Sequence, residues 1–458
     1  MSQARDQALE YAQRHIEHFV EQLQEFMRIP SVAARGEGIE DAVAWLTGRL
    51  GSAGLSTEVV QTTGNPVVVA EAPRIAGPTI LFYGHYDVQP EDPIEEWHYP
   101  PFEAERDGDR IYGRGAVDNK GNFLCIVNAL ESYYQATGEF PCNIKVVVEG
   151  EEEVGSPSLP GFMSQHKDRL KADAMVWFDS GIHPDGRPEI CLGMKGLLYT
   201  ELHVRTNSKD LHSGKATLVP NAAIRLVHVL ASLVGENNQV KIAGFYDDCA
   251  APNEWELEQL ANADLSAAAL KEKWGVEHLH SAFEQVPNAK LFEHLLFDPT
   301  CTIGGITAGY QGEGSKTVIP AKASAKVEFR LVPNQDPERI LALLKNHLRD
   351  HGFADVEVRL ISAMKASKPG GGNEIADLLA GVMANYYRYP LVKPLVEGSG
   401  PGVVFEEVGA PYVFSRLGPP EDRSHAPNEY FTVPATEKGT AIVIDLLAKF
   451  ATAYAGKQ

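Results

Sequence analysis

The sequence predicts a mixed α/β fold that carries an inserted α+β domain, and three observations support this prediction. Short apolar runs alternate with helical stretches from about Glu58 to Phe178, which is typical of a sheet with helices on both faces. A second series of strand and helix patterns begins near Gly196. The length of 458 residues exceeds what one hydrophobic core usually accommodates, so two domains are expected.

The larger domain is predicted from four short apolar runs that read as buried strands. They are residues 67–70, 79–83, 144–148 and 174–178, with a helical stretch near 122–135 between the second run and the third. We expect a mixed sheet with helices on both of its faces. Ligands of such sheets bind at the carboxyl ends of the strands, so the residues that follow each run are the first candidates for a functional site.

The inserted domain is predicted from three strands that are separated by two helices. In chain order these are residues 197–205, 221–234, 322–331, 337–351 and 355–361. This order indicates a small α+β domain of the ferredoxin-like kind. We place it at residues 196–367, so the larger domain comprises residues 1–195 and 368–458, and the glycine-rich segment 368–373 is interpreted as the hinge between them.

Composition and charge argue against several classes of function. Hydrophobic residues make up 44% and charged residues 22% of the chain, as in ordinary globular proteins. The net charge of −21 would repel nucleic acid and anionic membranes, and no apolar run is long enough to span a bilayer. The five cysteines are widely spaced and include no CxxC pair, which indicates a protein of the reducing cytoplasm.

Acidic and imidazole side chains follow the predicted strands of the larger domain. His85 and Asp87 come after the second run, three consecutive glutamates at 151–153 after the third, and Asp179 directly after the fourth. Carboxylates crowded at one sheet edge would repel one another and take up protons unless a cation neutralised them. Histidines combined with carboxylates suit a borderline cation such as zinc or manganese. The sequence therefore predicts a metal site at this edge.

Three further features complete the candidate site. Asp118 lies in a glycine-rich segment ahead of the predicted helix, and His425 lies in a loop near the C-terminus. His85 and Asp87 occupy alternate positions and therefore face the same way. Asp87 can then accept a hydrogen bond from the second ring nitrogen of His85 and fix its tautomer.

Other catalytic and nucleotide-binding patterns are not matched. The segment 312–317 hints at a phosphate loop, but Ser315 separates the glycine from the lysine that such a loop requires. No HExxH motif indicates a helix-borne single-zinc protease, and no GxSxG motif indicates a serine hydrolase.

Seven segments together resemble the M20 family of metallopeptidases, which includes carnosinase-like dipeptidases, aminoacylases and succinyl-diaminopimelate desuccinylase. In the family's order they are GHYDV (84–88), YGRGAVDNKG (112–121), EEVGS (152–156), DLHSG (210–214), KTVIP (316–320), RLVP (330–333) and SHAPNE (424–429). The resemblance implies a homodimeric enzyme that hydrolyses the amide bond of dipeptides or short peptides. It also implies two divalent metal ions per subunit, zinc or manganese, which activate the attacking water.

Carried over residue by residue, the resemblance implies a role for each candidate in the larger domain. His85 and Asp179 would hold one metal ion. Glu153 and His425 would hold the other, and Asp118 would bridge the two.

The same resemblance implies how the attacking water is activated. Glu152 would be the general base, and Asp87 would orient His85. Glu151 offers a rival register for the base, although the pattern Glu-Glu-x-Gly-Ser favours Glu152 together with Glu153.

The substrate-binding residues implied by the resemblance lie mostly in the inserted domain, which would close over short substrates and support dimerisation. His212 would polarise the scissile carbonyl from the partner subunit. Thr317 and Arg330 would hold the free carboxylate of the substrate. Ser399 would also contact the substrate, although the stretch 395–402 lacks the arginine that the family's dipeptidases carry in an Arg-x-Gly-Gly-Ser-x-Pro segment.

Two alternatives to a dipeptidase stay open at this point. In the family's dipeptidases and aminopeptidases the ligand at the position of Asp179 tends to be aspartate, whereas deacylating branches tend to use glutamate. Asp179 therefore favours dipeptides over a deacylase that acts on N-acyl amino acids. A non-catalytic metal-binding scaffold would be expected to lose Glu152 or a metal ligand, and the sequence retains all of them.

Overall fold

The computed structural model of the protein describes residues 2–183, 186–262, 266–368, 374–406, 408–420 and 423–456. It comprises two compact units. The first unit is Met1–Leu192 with Pro369–Pro394 and Val404–Gln458, and the second unit is Gly193–Lys368 with Leu395–Val403. The predicted hinge at 368–373 lies, apart from Lys368, outside the described residues.

Besides boundary shifts of one to three residues, one segment differs from the predicted division of the chain. Residues 395–403 were expected in the larger domain, but they belong to the second unit. The reason is backbone pairing, because the Lys195 N–H donates to the carbonyl oxygens of Val396 and Gly398 at 3.3 and 2.9 Å. A short return to the second unit of this kind leaves no trace in hydrophobic periodicity.

The strands of the described chain are numbered here in sequence order. They are β1 Ser56–Val60, β2 Val67–Glu71, β3 Thr79–His85, β4 Glu105–Asp107, β5 Arg110–Tyr112, β6 Asn143–Glu149, β7 Ala174–Phe178, β8 Glu189–Cys191, β9 Gly196–Arg205, β10 Leu211–His212, β11 Thr300–Ala308, β12 Val318–Ile319, β13 Lys322–Leu331, β14 Glu357–Met364, β15 Leu391–Lys393, β16 Tyr412–Ser415 and β17 Tyr430–Thr432.

The helices are numbered in the same way. They are α1 Ser2–Arg14, α2 Ile16–Met27, α3 Ile39–Ser52, α4 Gly121–Thr137, α5 Leu159–Leu170, α6 Ala222–Leu233, α7 Glu254–Ala261, α8 Ala267–Trp274, α9 Asn288–Phe297, α10 Pro337–Asp350, α11 Glu374–Met383, α12 Gly402–Glu406 and α13 Val433–Ala453. None of the helices in the described ranges combines the length and the apolar composition that crossing a bilayer requires.

A mixed sheet of eight strands forms the centre of the first unit, in the order β1-β2-β6-β3-β7-β16-β8-β15. β3 runs parallel to β6 and β7, and β7 runs parallel to β16, whereas β2 pairs antiparallel with β1 and β6. The predicted mixed α/β class is therefore confirmed. The four predicted runs correspond to β2, β3, β6 and β7, whose side chains are almost all buried.

Helix α4 fixes the position of the turn that precedes it. Every residue of α4 from Gly121 to Tyr133 is buried, and the helix packs against α1 and α13. The fully buried ammonium of Lys120 donates to the carbonyl oxygens of Phe26 and Ile29 at 2.9 and 2.7 Å. The start of α4 is thus tied to the end of α2, two residues beyond Asp118.

The second unit is built around an antiparallel sheet in the order β11-β13-β9-β14. Helices α6 and α10 bury their apolar sides against it, for example through Leu226 of α6 and Leu344 of α10. The chain passes through β9, α6, β11, β13, α10 and β14 in that order, which is the βαββαβ connection of a ferredoxin-like domain. The predicted α+β class of this part is confirmed.

Strand β11 was not predicted, and its sequence explains why. Gly304 and Gly305 interrupt its apolar pattern, and the pairing with β13 shifts register between Ile303 and Gly305. A glycine pair weakens the strand signal because it removes side chains and favours a bulge. Helices α7, α8 and α9, which lie between α6 and β11, were also not predicted.

Candidate metal centre and active site

The carboxyl ends of the central parallel strands bring the first candidates together. β3 ends at His85, which is paired in register with Glu149 at the end of β6. Asp179 directly follows β7, the other parallel neighbour of β3. Because these three strands run in one direction, the residues that follow them meet at one edge of the sheet.

Two groups of side chains at this edge have the spacing of metal ligands. In the first, His85 Nε2 lies 3.3 Å from Asp118 Oδ1 and 3.1 Å from Asp179 Oδ2. In the second, His425 Nε2 lies 3.1 Å from both Asp118 Oδ2 and Glu153 Oε2. Within each group the potential ligand atoms all lie within 4.8 Å of one another. Asp118 therefore belongs to both groups and turns one carboxylate oxygen toward each histidine.

The turn that carries Asp118 is held by hydrogen bonds on both of its sides. Gly115 precedes it with a φ of 82°, where a Cβ atom would fall 2.5 Å from the side chain of Val88. The Asn119 amide donates to Phe178 O at 2.7 Å, at the end of β7. The Asn122 amide donates to Val117 O at 2.6 Å. The turn is therefore fastened to the same sheet edge that carries the other candidates.

Asp87 connects His85 with the glutamates that follow β6. Its carboxylate is fully buried, and Oδ1 lies 3.4 Å from His85 Nδ1. The backbone N–H groups of Glu152 and Glu153 donate to the two Asp87 oxygens at 3.3 and 3.1 Å. The backbone oxygen of Asp87 lies 3.1 Å from His85 Nδ1 as well. Asp87 thus fixes the imidazole ring and the glutamate turn in one arrangement.

The geometry distinguishes Glu151 from Glu152. Glu151 Oε2 accepts the N–H of Ser158 at 3.2 Å, and a Cβ atom on Gly64 would fall 1.8 Å from Glu151 Oε1. Glu151 is therefore directed toward Gly64 and Ser158. The carboxylate of Glu152 instead interacts with the charges of His85 and Asp179. The structure brings Glu152, and not Glu151, to the cluster.

Crowding perturbs the protonation of the whole cluster. Burial raises the pKa of Glu152 well above its usual value, and the charge of Asp179 adds to the rise. Burial and the charge of Asp118 raise the pKa of Glu153 to about 7. Hydrogen bonds to Asp118 and Glu153 raise the pKa of His425 to about 11. Without a cation, the repulsion between the carboxylates is relieved only when protons bind to some of the glutamates and to the neighbouring histidines.

The donor set fits divalent cations. Two imidazole nitrogens and several carboxylate oxygens suit zinc or manganese. Within the described part of the chain, the buried Oε1 atom of Glu153 has no hydrogen-bond partner. A buried carboxylate oxygen without a partner is costly, and coordination of a cation would satisfy it. These residues constitute a candidate metal site.

His212 and Thr317 lie together in the second unit. The N–H of Gly214 donates to His212 Nδ1 at 3.1 Å, and His212 Nε2 lies 3.4 Å from Thr317 Oγ1. Since Nδ1 accepts a hydrogen bond, the neutral imidazole carries its proton on Nε2. His212 is therefore prepared to donate a hydrogen bond from Nε2.

Arg330 and Ser399 are also neighbours in the second unit. Arg330 Nη1 donates to Ser399 Oγ at 2.9 Å, and Arg330 Nε donates to Glu328 Oε1 at 3.1 Å. The segment 395–403 thus brings Ser399 to Arg330 even though the arginine expected in that stretch is missing. A guanidinium beside a hydroxyl is a suitable receptor for a carboxylate.

Two residues that support the cluster were not predicted from the sequence. Gln89 donates to Glu153 Oε2 at 2.9 Å and to Glu153 O at 3.1 Å. Glu429 is fully buried and accepts hydrogen bonds from the backbone N–H groups of Val117 and Asp118. Glu429 belongs to the matched SHAPNE segment, but its partners are backbone atoms, which a residue pattern does not reveal.

The fold and the site together define a class of protein. A mixed sheet whose carboxyl edge gathers two histidines and several carboxylates, in a chain that also carries a βαββαβ unit, defines an α/β protein with a candidate divalent-metal site. The chain belongs to peptidase family M20/M25/M40, whose family model matches residues 81–449. The resemblance inferred from the seven segments is therefore confirmed.

Individual relatives agree with this assignment. The chain is 31% identical to the Beta-Ala-His dipeptidase of Rattus norvegicus over 287 residues, which cover 62% of the chain and 58% of that protein. It is 32% identical to the Cys-Gly metallodipeptidase dug1 of Schizosaccharomyces pombe over 275 residues, which cover 59% of the chain and 57% of that protein. The aligned part thus spans less than two thirds of either relative.

Solved structures match over a longer stretch. The M20 family metallo-carboxypeptidase Sso-CP2 of Sulfolobus solfataricus superimposes with a TM-score of 0.89 and 36% identity, covering 95% of this chain and 99% of that one. Human carnosine dipeptidase 1 superimposes with a TM-score of 0.83 and 25% identity, covering 98% of this chain and 100% of that one.

Removing divalent cations is expected to destabilise the first unit, because the clustered carboxylates would lose the charge that offsets their repulsion. Adding zinc or manganese to the metal-stripped protein, at a hundred times its dissociation constant, should raise the free energy of unfolding by about 2.7 kcal/mol for each cation bound. Thermal or denaturant unfolding with and without the cation measures this difference.

Two variants serve as test and control for this stabilisation. Asp118→Asn should lose most of the increase, since one of the two oxygens of the carboxylate that the groups share becomes an amide nitrogen. Asp173→Asn should keep it, because the Asp173 carboxylate accepts the Thr79 N–H at the opposite, amino end of β3. An equal increase in the Asp118→Asn variant would contradict the metal assignment.

Proposed function

We propose that the protein is a metal-dependent dipeptidase that acts with two divalent cations, zinc or manganese. The observation that carries the proposal is the position of Asp118, whose two oxygens each face a different histidine. A carboxylate shared in this way can bridge two cations, and paired cations are a common device of hydrolases. Dipeptides as substrates are supported by the names of the rat and fission-yeast relatives.

The proposed ligands follow the two groups of the cluster. His85 and Asp179 would hold one cation, Glu153 and His425 would hold the other, and Asp118 would serve both groups. When bound, the cations polarise the scissile carbonyl and lower the pKa of a bound water. Asp87 keeps His85 in the correct tautomer through its contact with Nδ1.

Glu152 is the proposed general base. It takes a proton from the attacking water and passes it to the leaving amine. Its backbone N–H is held by Asp87, and its carboxylate interacts with the charges of His85 and Asp179. Glu151 has no part in this step, because it is directed toward Gly64 and Ser158.

Residues of the second unit are proposed to bind the substrate. His212 donates from Nε2 to the oxygen of the scissile carbonyl, where negative charge develops in the transition state. Arg330, with Ser399 beside it, receives the free carboxylate of the dipeptide. Thr317, which lies next to His212, is proposed to contact the free carboxylate together with Arg330.

A homodimer is the proposed state, with the second unit serving as the lid and dimerisation domain. Ile224 and Val227 stand one turn apart on α6 with exposures of 58% and 59%, and Leu218, which precedes this helix in the chain, is 90% exposed. Exposed apolar side chains on one helix are consistent with an interface, and a two-fold symmetric pair is the commonest assembly. In this dimer, His212 acts in the site of the partner subunit.

The cytoplasm is the proposed compartment. No disulfide joins the cysteines of the described chain, and the acidic net charge of −21 disfavours nucleic acid and anionic membranes as partners.

A panel of substrates tests the proposed activity. Metal-stripped protein restored with zinc or manganese should release amine from dipeptides that have a free carboxylate. Dipeptide amides should be poor substrates, since Arg330 would lose its partner. Activity confined to N-acyl amino acids would instead indicate a deacylase. Activity confined to N-blocked peptides would indicate a carboxypeptidase, as the name of the Sulfolobus relative suggests. No activity with bound metal would favour a scaffold.

The Glu152→Gln variant is expected to bind both cations and to lose between about a hundredfold and ten-thousandfold in kcat, because the amide cannot accept the proton of the water. Steady-state kinetics and metal analysis measure the two properties. Glu151→Gln is the matched control and should keep the wild-type kcat. Near-normal turnover by Glu152→Gln, or an equal loss in Glu151→Gln, would show the base assignment to be wrong.

Mixing two inactive variants tests the shared site. Glu152→Gln and His212→Ala should each be inactive, because each dimer then lacks one group in both sites. After subunit exchange, a mixed dimer contains one site with both groups intact, so about a quarter of wild-type activity should return. If the mixture stays inactive after exchange has been verified, His212 does not act across the dimer.

A further inference from the structure

Glu429 occupies a position from which it can control the geometry of the candidate metal centre. It follows His425 by four residues, and its side chain is fully buried. Its carboxylate does not point to the cluster of ligands. It points instead into the turn that leads to Asp118, where it accepts hydrogen bonds on both of its oxygens.

Each oxygen of Glu429 accepts two hydrogen bonds. Oε1 accepts the backbone N–H groups of Val117 at 2.8 Å and of Asp118 at 3.1 Å. Oε2 accepts the backbone N–H of Gly115 at 3.0 Å and Arg114 Nη1 at 2.8 Å. The backbone N–H of Asp118, the residue shared by both ligand groups, is thus held directly by this carboxylate.

The same contacts connect the loop of Asp118 with the loop of His425. The backbone oxygen of Glu429 accepts the N–H of Gly113 at 2.9 Å. Arg114 Nη1 lies 3.4 Å from Ala426 O, next to His425, and Arg114 Nη2 donates to Pro90 O at 3.1 Å. Two ligand-bearing loops that are distant in the chain are therefore joined by one buried acid and its arginine.

We propose that Glu429 is a positioning residue that sets the distance between Asp118 and His425 and thereby determines how tightly two cations are held. This inference rests on the proposed metal centre. Residues that orient metal ligands without touching the metal commonly contribute tenfold to a hundredfold in affinity. Only a carboxylate can accept all four donors, because an amide would turn its own N–H groups toward backbone N–H groups.

The test compares Zn²⁺ binding by the wild-type 458-residue chain and its variants, using competition with a chelator and metal analysis. Glu429→Gln is expected to hold the pair of cations at least tenfold more weakly. Glu429→Asp keeps the charge but reaches less far, and an intermediate loss is expected. The visible spectrum of the Co²⁺-loaded protein provides a second readout, because it should change when the ligand geometry changes.

Glu131→Gln is the control for burial. Glu131 is 5% exposed and lies in the first unit, where it pairs with Arg49 and accepts the hydroxyl of Tyr11 at 3.2 Å. This variant should lose stability while keeping the wild-type affinity for Zn²⁺ and the wild-type Co²⁺ spectrum. Measuring the unfolding of all variants separates loss of fold from loss of metal.

The possible outcomes distinguish this inference from the function on which it rests. Wild-type protein that fails to bind two cations would overturn the proposed metal centre. Wild-type protein that binds two, together with folded Glu429 variants of unchanged affinity and spectrum, would overturn the positioning role alone. If neither Glu429 variant folds while Glu131→Gln does, Glu429 is a structural residue and the inference is wrong.

Discussion

The mutual repulsion of carboxylates at one sheet edge is the constraint on which the rest of the first unit depends. Asp118, Glu152, Glu153 and Asp179 are drawn together by backbone structure, while their charges oppose that approach. Burial strengthens the opposition because it removes the solvent that would screen it. The folded chain can keep these carboxylates together only if cations between them, or protons bound to them, offset their electrostatic repulsion.

The surrounding structure consists largely of groups that hold these carboxylates in place. Asp87 accepts hydrogen bonds from the backbone N–H groups of Glu152 and Glu153. Glu429 accepts a hydrogen bond from the backbone N–H of Asp118. Lys120 connects the start of α4 to the end of α2 through hydrogen bonds to backbone oxygens. Much of this framework consists of hydrogen bonds to backbone atoms, which are more rigid than contacts between two flexible side chains. Such rigidity is what a preorganised site requires.

The central strands could be predicted from the sequence because their environment is simple. β3, β6 and β7 are buried on both faces, so each reads as an unbroken apolar run. Parallel strands then bring their carboxyl ends to one edge, which made His85 and Asp179 foreseeable neighbours. Asp118 and His425 lie in loops, and their roles depended on resemblance to a family. The role of Glu429 could not be predicted, because its carboxylate oxygens accept hydrogen bonds from backbone N–H groups, which every residue except proline possesses.

In the second unit, the strands with a regular burial pattern could likewise be predicted from the sequence, and the irregular ones could not. β9 and β13 alternate between buried and exposed side chains, whereas the glycines of β11 hide that strand. The return of residues 395–403 to this unit depends on backbone pairing with Lys195, so the contact between Arg330 and Ser399 was not foreseeable from spacing.

A crystal structure of the zinc-loaded protein, with the ions located by anomalous scattering, tests most directly whether Asp118 organises a pair of cations. Two anomalous peaks are expected, on opposite sides of the Asp118 carboxylate. One would be bound by His85 and Asp179, and the other by Glu153 and His425. A single peak, or peaks that do not share Asp118, would contradict the claim that this carboxylate organises a pair of cations.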